Sequence, residues 1–224
     1  MNRILVIAPH PDDELLGCGA TMAKQAHAGD EVYVAVMTNA HKGAPGLYPE
    51  AMIRQVRDEA LQAHRQIGVA ETFFFDFPAP CLELFPSYRI SDAIRGLLEQ
   101  LGATCLYLPF KGDAHKDHEV IFSAAMVAAR PVRGCTVREL YAYETLSETE
   151  WGAPLAGNTF IPTRFTDVSA YMQQKLGAMA CYRSQLNNAP HPRSAAVLES
   201  LARYRGATIG VAYAEAFMVI RSIG

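Results

Sequence analysis

The sequence predicts an α/β fold, a Rossmann-like three-layer sandwich built on a mainly parallel sheet. Three observations carry this reading. Strand-like apolar runs alternate with helical segments along the chain, the order that winds parallel strands through crossover helices. The helical segments stop at glycines such as Gly29 and Gly68, where a left-handed residue ends a helix at little cost. Half of the 224 residues are hydrophobic, enough for a sizeable core, and residues 1–224 read as a single domain.

The first strand is the run Ile4-Leu5-Val6-Ile7-Ala8, apolar throughout. Glu14 to Ala28 follows as a helix closed by Gly29, and Glu31 to Met37 as a second strand. Between Glu50 and Ile67, residues Ile53, Val56, Ala60, Ala63 and Ile67 share one helical face, and Gly68 ends the helix. Thr72 to Phe75 is a third strand. Ile90, Ile94, Leu97 and Leu101 align along a helix, and Thr104 to Pro109 gives a fourth strand. Further on, Val137 to Tyr143 reads as a strand, Asp167 to Leu186 as one long helix, Ser194 to Arg205 as a shorter helix and Ala216 to Ile220 as the last strand. The loops Ala40 to Pro49 and Phe77 to Tyr88 are rich in Gly and Pro and are expected to edge a pocket.

Composition narrows the function. Twenty basic residues against 23 acidic ones give a net charge of -3, and the basic residues are scattered, so no positive field exists for nucleic acid. No apolar run approaches the roughly 20 residues of a membrane span, and the N-terminus enters a strand with no signal-peptide layout. A soluble, cytoplasmic protein is the expectation. The five cysteines are widely spaced without a Cys-x-x-Cys pair, which argues against a disulfide framework and a thiolate zinc site. Gly17-Cys18-Gly19 lacks the third glycine of a dinucleotide loop, since position 22 is Met22.

Two short clusters carry the chemistry: Pro9-His10-Pro11-Asp12-Asp13-Glu14 and Asp113-Ala114-His115-Lys116-Asp117-His118. Each follows a predicted strand, and a parallel sheet brings both strand ends to the edge where ligands bind. Zinc in a hydrolytic site takes three protein ligands and keeps a fourth position open; His10, Asp13 and His118 supply that set. His and carboxylate donors suit ferrous iron as well. Asp12 is then the general base, and His115 the imidazole facing a developing oxyanion. Asp117 or Asp113 is expected to hold the His115 ring and favour its charged form. An acidic pair before a helix also suits N-capping, and a lone His-x-x-His is weak, but the coincidence of both clusters points to a metal site.

These residues resemble the LmbE-like (PIG-L) family of zinc-dependent de-N-acetylases. The likeness covers nearly the whole chain: the first strand, the Arg- and Glu-bearing helix ending at Gly68, the second cluster, and a late segment with Lys175 and Ser184-Gln185. It implies removal of an acetyl group from an N-acetylated amino sugar of the N-acetylglucosamine type. It also implies His10, Asp13 and His118 as metal ligands, Asp12 as general base and His115 as the oxyanion imidazole. The family's substrate arginine falls on Arg54 or Arg57, with Arg57 favoured, and Lys116 stands where the family usually has proline.

A sugar pocket needs a few polar side chains among apolar walls. Tyr143 at a strand end, and His191 and Arg193 in the stretch Pro190 to Ser194 before a predicted helix, are further substrate-binding candidates. His41 in the Gly-rich loop is another, whereas His27 and His64 read as ordinary surface or half-buried residues. The competing readings are a hydrolase of a different amide, a phosphoesterase short of ligands for a second metal, and a non-catalytic sugar-binding protein. The expected partner is a small amino sugar; a homo-oligomer stays open.

Overall fold

The elements follow from the alternation of period. In the computed structural model, which describes residues 1–132 and 134–224, the first half of the chain forms β1 (Arg3–Ala8), α1 (Asp13–His27), β2 (Glu31–Asn39), a short α2 (Ala40–Gly43), α3 (Glu50–Ile67), β3 (Glu71–Pro78), α4 (Ser87–Leu101) and β4 (Cys105–Pro109). The second half forms α5 (Lys116–Ala128), β5 (Glu139–Tyr143), β6 (Arg164–Asp167), α6 (Met172–Met179), α7 (Ala195–Ala207) and β7 (Ala214–Ser222). The strands make one sheet in the order β3-β2-β1-β4-β5-β7-β6. The first five run parallel, and β7 is antiparallel to both its neighbours, β5 and β6. The fold is therefore α/β with a mainly parallel sheet, as the sequence predicts.

Strand alternation divides the apolar residues between two cores. Ile4, Val6 and Ala8 of β1 point to the face covered by α1, α3, α6 and α7. Leu5 and Ile7 point to the face covered by α4 and α5. Since β2 and β4 flank β1, the loops that follow β1 and β4 meet at the point where the sheet order reverses direction.

The long helix expected over Asp167 to Leu186 is not formed. Residues Arg164 to Asp167 instead pair antiparallel with Phe217 to Ala214. The Asp167 carboxylate then accepts the Ser169 backbone N–H and hydroxyl, a local turn that ends the strand. Only Met172–Met179 is helical, and the chain turns through residues 181–185. The helical spacing of Met172, Leu176 and Met179 is kept within this shorter helix, whereas the strand pairing takes up the N-terminal end of the expected one. Helix α5, which begins within the second cluster, and β6 have no counterpart among the elements expected from sequence.

Helix α1 is broken at Cys18, whose φ of -143° is not helical. The break frees backbone groups inside the protein, and a buried ion pair takes them up. Lys175 Nζ donates to Leu16 O at 2.8 Å and to Glu215 Oε1 at 2.6 Å, while Glu215 accepts the N–H groups of Ala20 and Thr21. Gly17 and Gly19 serve this packing rather than a nucleotide. A Cβ on Gly17 would lie 2.2 Å from the Tyr143 ring, and one on Gly19 would press against the Lys175 stem at 3.2 Å.

Candidate active site and metal centre

The turn after β1 enters α1 through Asp12, which lies in the left-handed region at φ 103°. Asp13 thereby points back toward the sheet: its Oδ2 accepts the His10 backbone N–H at 2.8 Å. The same oxygen lies 3.4 Å from His10 Nδ1 and 3.2 Å from His118 Nε2. His10, Asp13 and His118 thus come within metal-binding distance of one another. His118 is fully buried on the first turn of α5. His118 Nε2, Asp13 Oδ1 and both carboxylate oxygens of Asp12 are buried without a hydrogen-bond partner. Buried polar atoms are seldom left so, and a bound ion or water among these four would satisfy them.

The opposite nitrogens of the two histidines are held by carboxylates. Asp117 Oδ2 lies 3.0 Å from His10 Nε2, and Asp113 Oδ2 lies 2.7 Å from His118 Nδ1. Asp117 Oδ1 accepts the Leu82 N–H and Asp113 Oδ1 the Thr149 hydroxyl, so each carboxylate is itself fixed. This corrects the sequence expectation that Asp117 or Asp113 would grip His115. Asp117 Oδ2 is 3.7 Å from His115 Nδ1, which instead accepts the Asp117 backbone N–H at 3.1 Å and caps α5. His115 Nε2 is left as the protonated nitrogen. Burial, and then the charge of His10, lower the His115 pKa, and this together with the bond accepted by Nδ1 favours the neutral ring over the expected cation.

The acids and bases of the centre are pushed apart. Burial alone would raise Asp13, but His118 and His10 hold its carboxyl well below the usual range. Burial pushes the Asp12 carboxyl up to about 8, against the pull of Arg193. Burial opposes the charged forms of His10 and His118, yet their carboxylate partners raise them to about 9 and about 10. Those imidazoles hold protons on the nitrogens whose lone pairs a cation would take.

Beside the cluster lies a pocket of about 210 Å³ lined by His10, Asp12, His115, Glu148, Gln185 and Arg193, with an apolar wall from Met52, Ile53, Val56 and Pro80. Arg57 is on its rim; Nη2 donates to Phe75 O and Asp76 Oδ1, both at 2.7 Å. Arg54 instead faces outward, paired with Glu50 at 3.5 Å. Arg193 Nη1 is 3.3 Å from Asp12 Oδ2, and its Nε donates to Ser147 Oγ at 2.6 Å. Asp12 and Ser147 are the non-glycine residues with positive φ among the described residues, and Arg193 touches both.

Other sequence candidates lie elsewhere. Tyr143 does not reach the pocket: it is fully buried under α1, and its hydroxyl donates to Ile7 O at 2.8 Å. His191 packs edge-on to Trp151, and its Nδ1 accepts the Arg193 N–H, so it shapes the Arg193 loop rather than lining the pocket. His41 braces its own loop through Tyr48 O. His64, read from sequence as half-buried or exposed, is buried against Glu14. Glu148 is a pocket residue that the sequence reading missed; its Oε2 accepts the His115 N–H at 3.0 Å. Its place in the acidic stretch Glu144 to Glu150 gave no signal of this.

The sequence profile of the GlcNAc-PI de-N-acetylase family, PIG-L, matches residues 5–129. An uncharacterized deacetylase of Escherichia coli K12, YaiS, is 29% identical over 186 residues, 81% of this chain and 90% of that protein. The diacetylchitobiose deacetylase of Thermococcus kodakarensis is 26% identical over 231 residues, 100% of this chain and 85% of that one. Among solved structures, a conserved protein of Thermus thermophilus superposes with a TM-score of 0.80 at 25% identity, over 100% of this chain and 97% of its own.

Proposed function

The chain belongs to the GlcNAc-PI de-N-acetylase (PIG-L) family, and we propose from this that it is a hydrolase removing the acetyl group from an N-acetylated amino sugar of the N-acetylglucosamine type. The observation that carries the reading is the group of buried atoms without hydrogen bonds on Asp12, Asp13 and His118, gathered beside His10 next to a pocket of about 210 Å³. A divalent cation, zinc or ferrous iron by the donor set, would be held by His10, Asp13 and His118. When bound, it supplies a Lewis acid for the amide carbonyl and lowers the pKa of water. Asp12 takes the proton of the attacking water and passes it to the leaving amine nitrogen; its raised pKa suits it to both transfers. His115 Nε2–H donates to the carbonyl oxygen as negative charge builds there, a neutral donor fixed by its Nδ1 cap. Arg57, Arg193 and Glu148 offer groups for sugar hydroxyls, and Met52 to Val56 the apolar wall.

The test is acetate release by the zinc-loaded protein from N-acetylglucosamine, diacetylchitobiose and a set of acetylated amines that are not sugars. Turnover confined to the sugars is expected. Faster release from the other amides, or no release with metal bound, would overturn the assignment.

A further inference from the structure

A residue at the N-cap of a helix ordinarily spends its side chain on the N–H groups of the first turn. Asp12 does not: its carboxylate makes no capping bond. Its left-handed backbone turns the side chain away from α1, a conformation costing about 1–3 kcal/mol outside glycine unless the surroundings enforce it. The side chain that meets this backbone is Glu14. The Asp12 backbone N–H donates to Glu14 Oε2 at 3.2 Å. Glu14 Oε1 accepts the Tyr182 hydroxyl at 2.6 Å and lies 3.0 Å from His64 Nε2, while His64 Nδ1 meets Thr72 Oγ1 at 2.8 Å. All of Glu14, His64 and Tyr182 are buried, at most 2% exposed. A carboxylate oxygen accepts, so His64 donates to Glu14 through Nε2, and the Glu14 carboxylate receives three donors from three parts of the chain. None of these groups lines the pocket, so a charge, an imidazole and a phenol are buried here for something other than substrate contact.

We propose that Glu14, clamped by Tyr182 and His64, is a positioning residue for Asp12. It holds the strained backbone from which the Asp12 carboxylate reaches the pocket, while Asp13, on the next peptide, stays turned to His10 and His118. The proposal rests on Asp12 being the general base. Tyr182 belongs to the turn after α6 and His64 to α3, so two distant segments tune one backbone angle.

A double-mutant cycle on zinc-loaded protein tests it, with Glu14→Gln, Asp12→Asn and the pair compared for acetate release from N-acetylglucosamine and for bound zinc. Glu14→Gln should keep its zinc and its KM within a few-fold and lose about 10² in kcat, the scale of a misplaced catalytic group. In the Asp12→Asn background the same change should cost nothing further, because residues acting as a unit are not additive. Equal losses in both backgrounds, or loss of zinc from Glu14→Gln, would make Glu14 merely structural and overturn the proposal. Normal turnover by Asp12→Asn would instead remove the general-base reading. Hydrogen exchange at the Asp12 amide, followed by NMR without substrate, separates the two failures: it should quicken at least about tenfold in Glu14→Gln, and an unchanged rate refutes the clamp whatever the role of Asp12. Should Glu14→Gln not fold, Tyr182→Phe enters the same cycle. It removes one donor and should give a smaller kcat loss that again vanishes beside Asp12→Asn; a loss that persists there counts against the proposal.

Discussion

Asp117 and Asp113 each hold the outward nitrogen of one histidine whose inward nitrogen faces Asp13. Such partners fix ring orientation and raise ligand basicity. Asp117→Asn and Asp113→Asn should therefore each weaken zinc binding about 10- to 100-fold, measured by competition with a chelator. His115→Ala should leave that affinity intact and lower kcat by about 10². Unchanged affinity in both Asp variants would show that these carboxylates do not act through the ligands. The protons on His10 and His118 give a second check. With pKa values of about 9 and about 10, both rings are charged at pH 7, and a cation must displace one proton from each. Zinc titrated at pH 7 in buffers of different ionisation enthalpy should release about two protons, with affinity rising as pH climbs toward 9. Release of none would mean the rings already stand neutral. The sequence made the residue types of this centre legible, since two motifs a hundred positions apart supplied every group in it. It could not assign the pairing, because Asp113 and Asp117 both lie within five positions of His115 and His118 and only the path of the loop selects between them. Tyr143 was misread for a related reason: a tyrosine at a strand end says nothing of which face it takes, and Gly17 leaves the gap that its ring fills.

At the scale of elements, the kink in α1 depends on a partner from each of α6 and β7. Lys175 and Glu215 are both nearly inaccessible, with side chains 4% exposed, and bind backbone groups that the kink leaves open. Lys175→Met should destabilise the protein by about 3–5 kcal/mol in urea unfolding, because the Glu215 charge stays buried without its cation. Lys175→Met with Glu215→Gln should recover part of this. A single-variant loss below about 1 kcal/mol would mean that water reaches the pair. The alternation of strands and helices through β4 was legible because each apolar run or helical face serves one core or both. Beyond β5, α7 and β7 were legible in the same way, whereas β6 and the extent of α6 were not. Arg164 to Asp167 is too short and too polar to announce a strand, and it exists because β7 offers an edge to pair with.

For the whole molecule, the site lies where β1 and β4 adjoin and the chain winds away to either side, so ligand groups from residues 10–13 and 113–118 meet only in the assembled sheet. The mainly parallel sheet and its face-by-face cores follow from the apolar pattern; the order of the last two strands does not, since nothing local distinguishes an edge strand from an inner one. That order matters during synthesis. Strand β7 emerges after both β5 and β6, yet it enters the sheet between them, bringing Glu215 with it. Until it leaves the ribosome, β5 keeps an open edge, β6 has nothing to pair with, and Lys175 waits without its counter-charge. Domains commonly fold from the N-terminus as they are made, at about 5–20 residues per second. Here the parallel half can form before β7 is made, and until then the nascent chain is an unfinished sheet whose β5 edge is exposed for chaperones to cover.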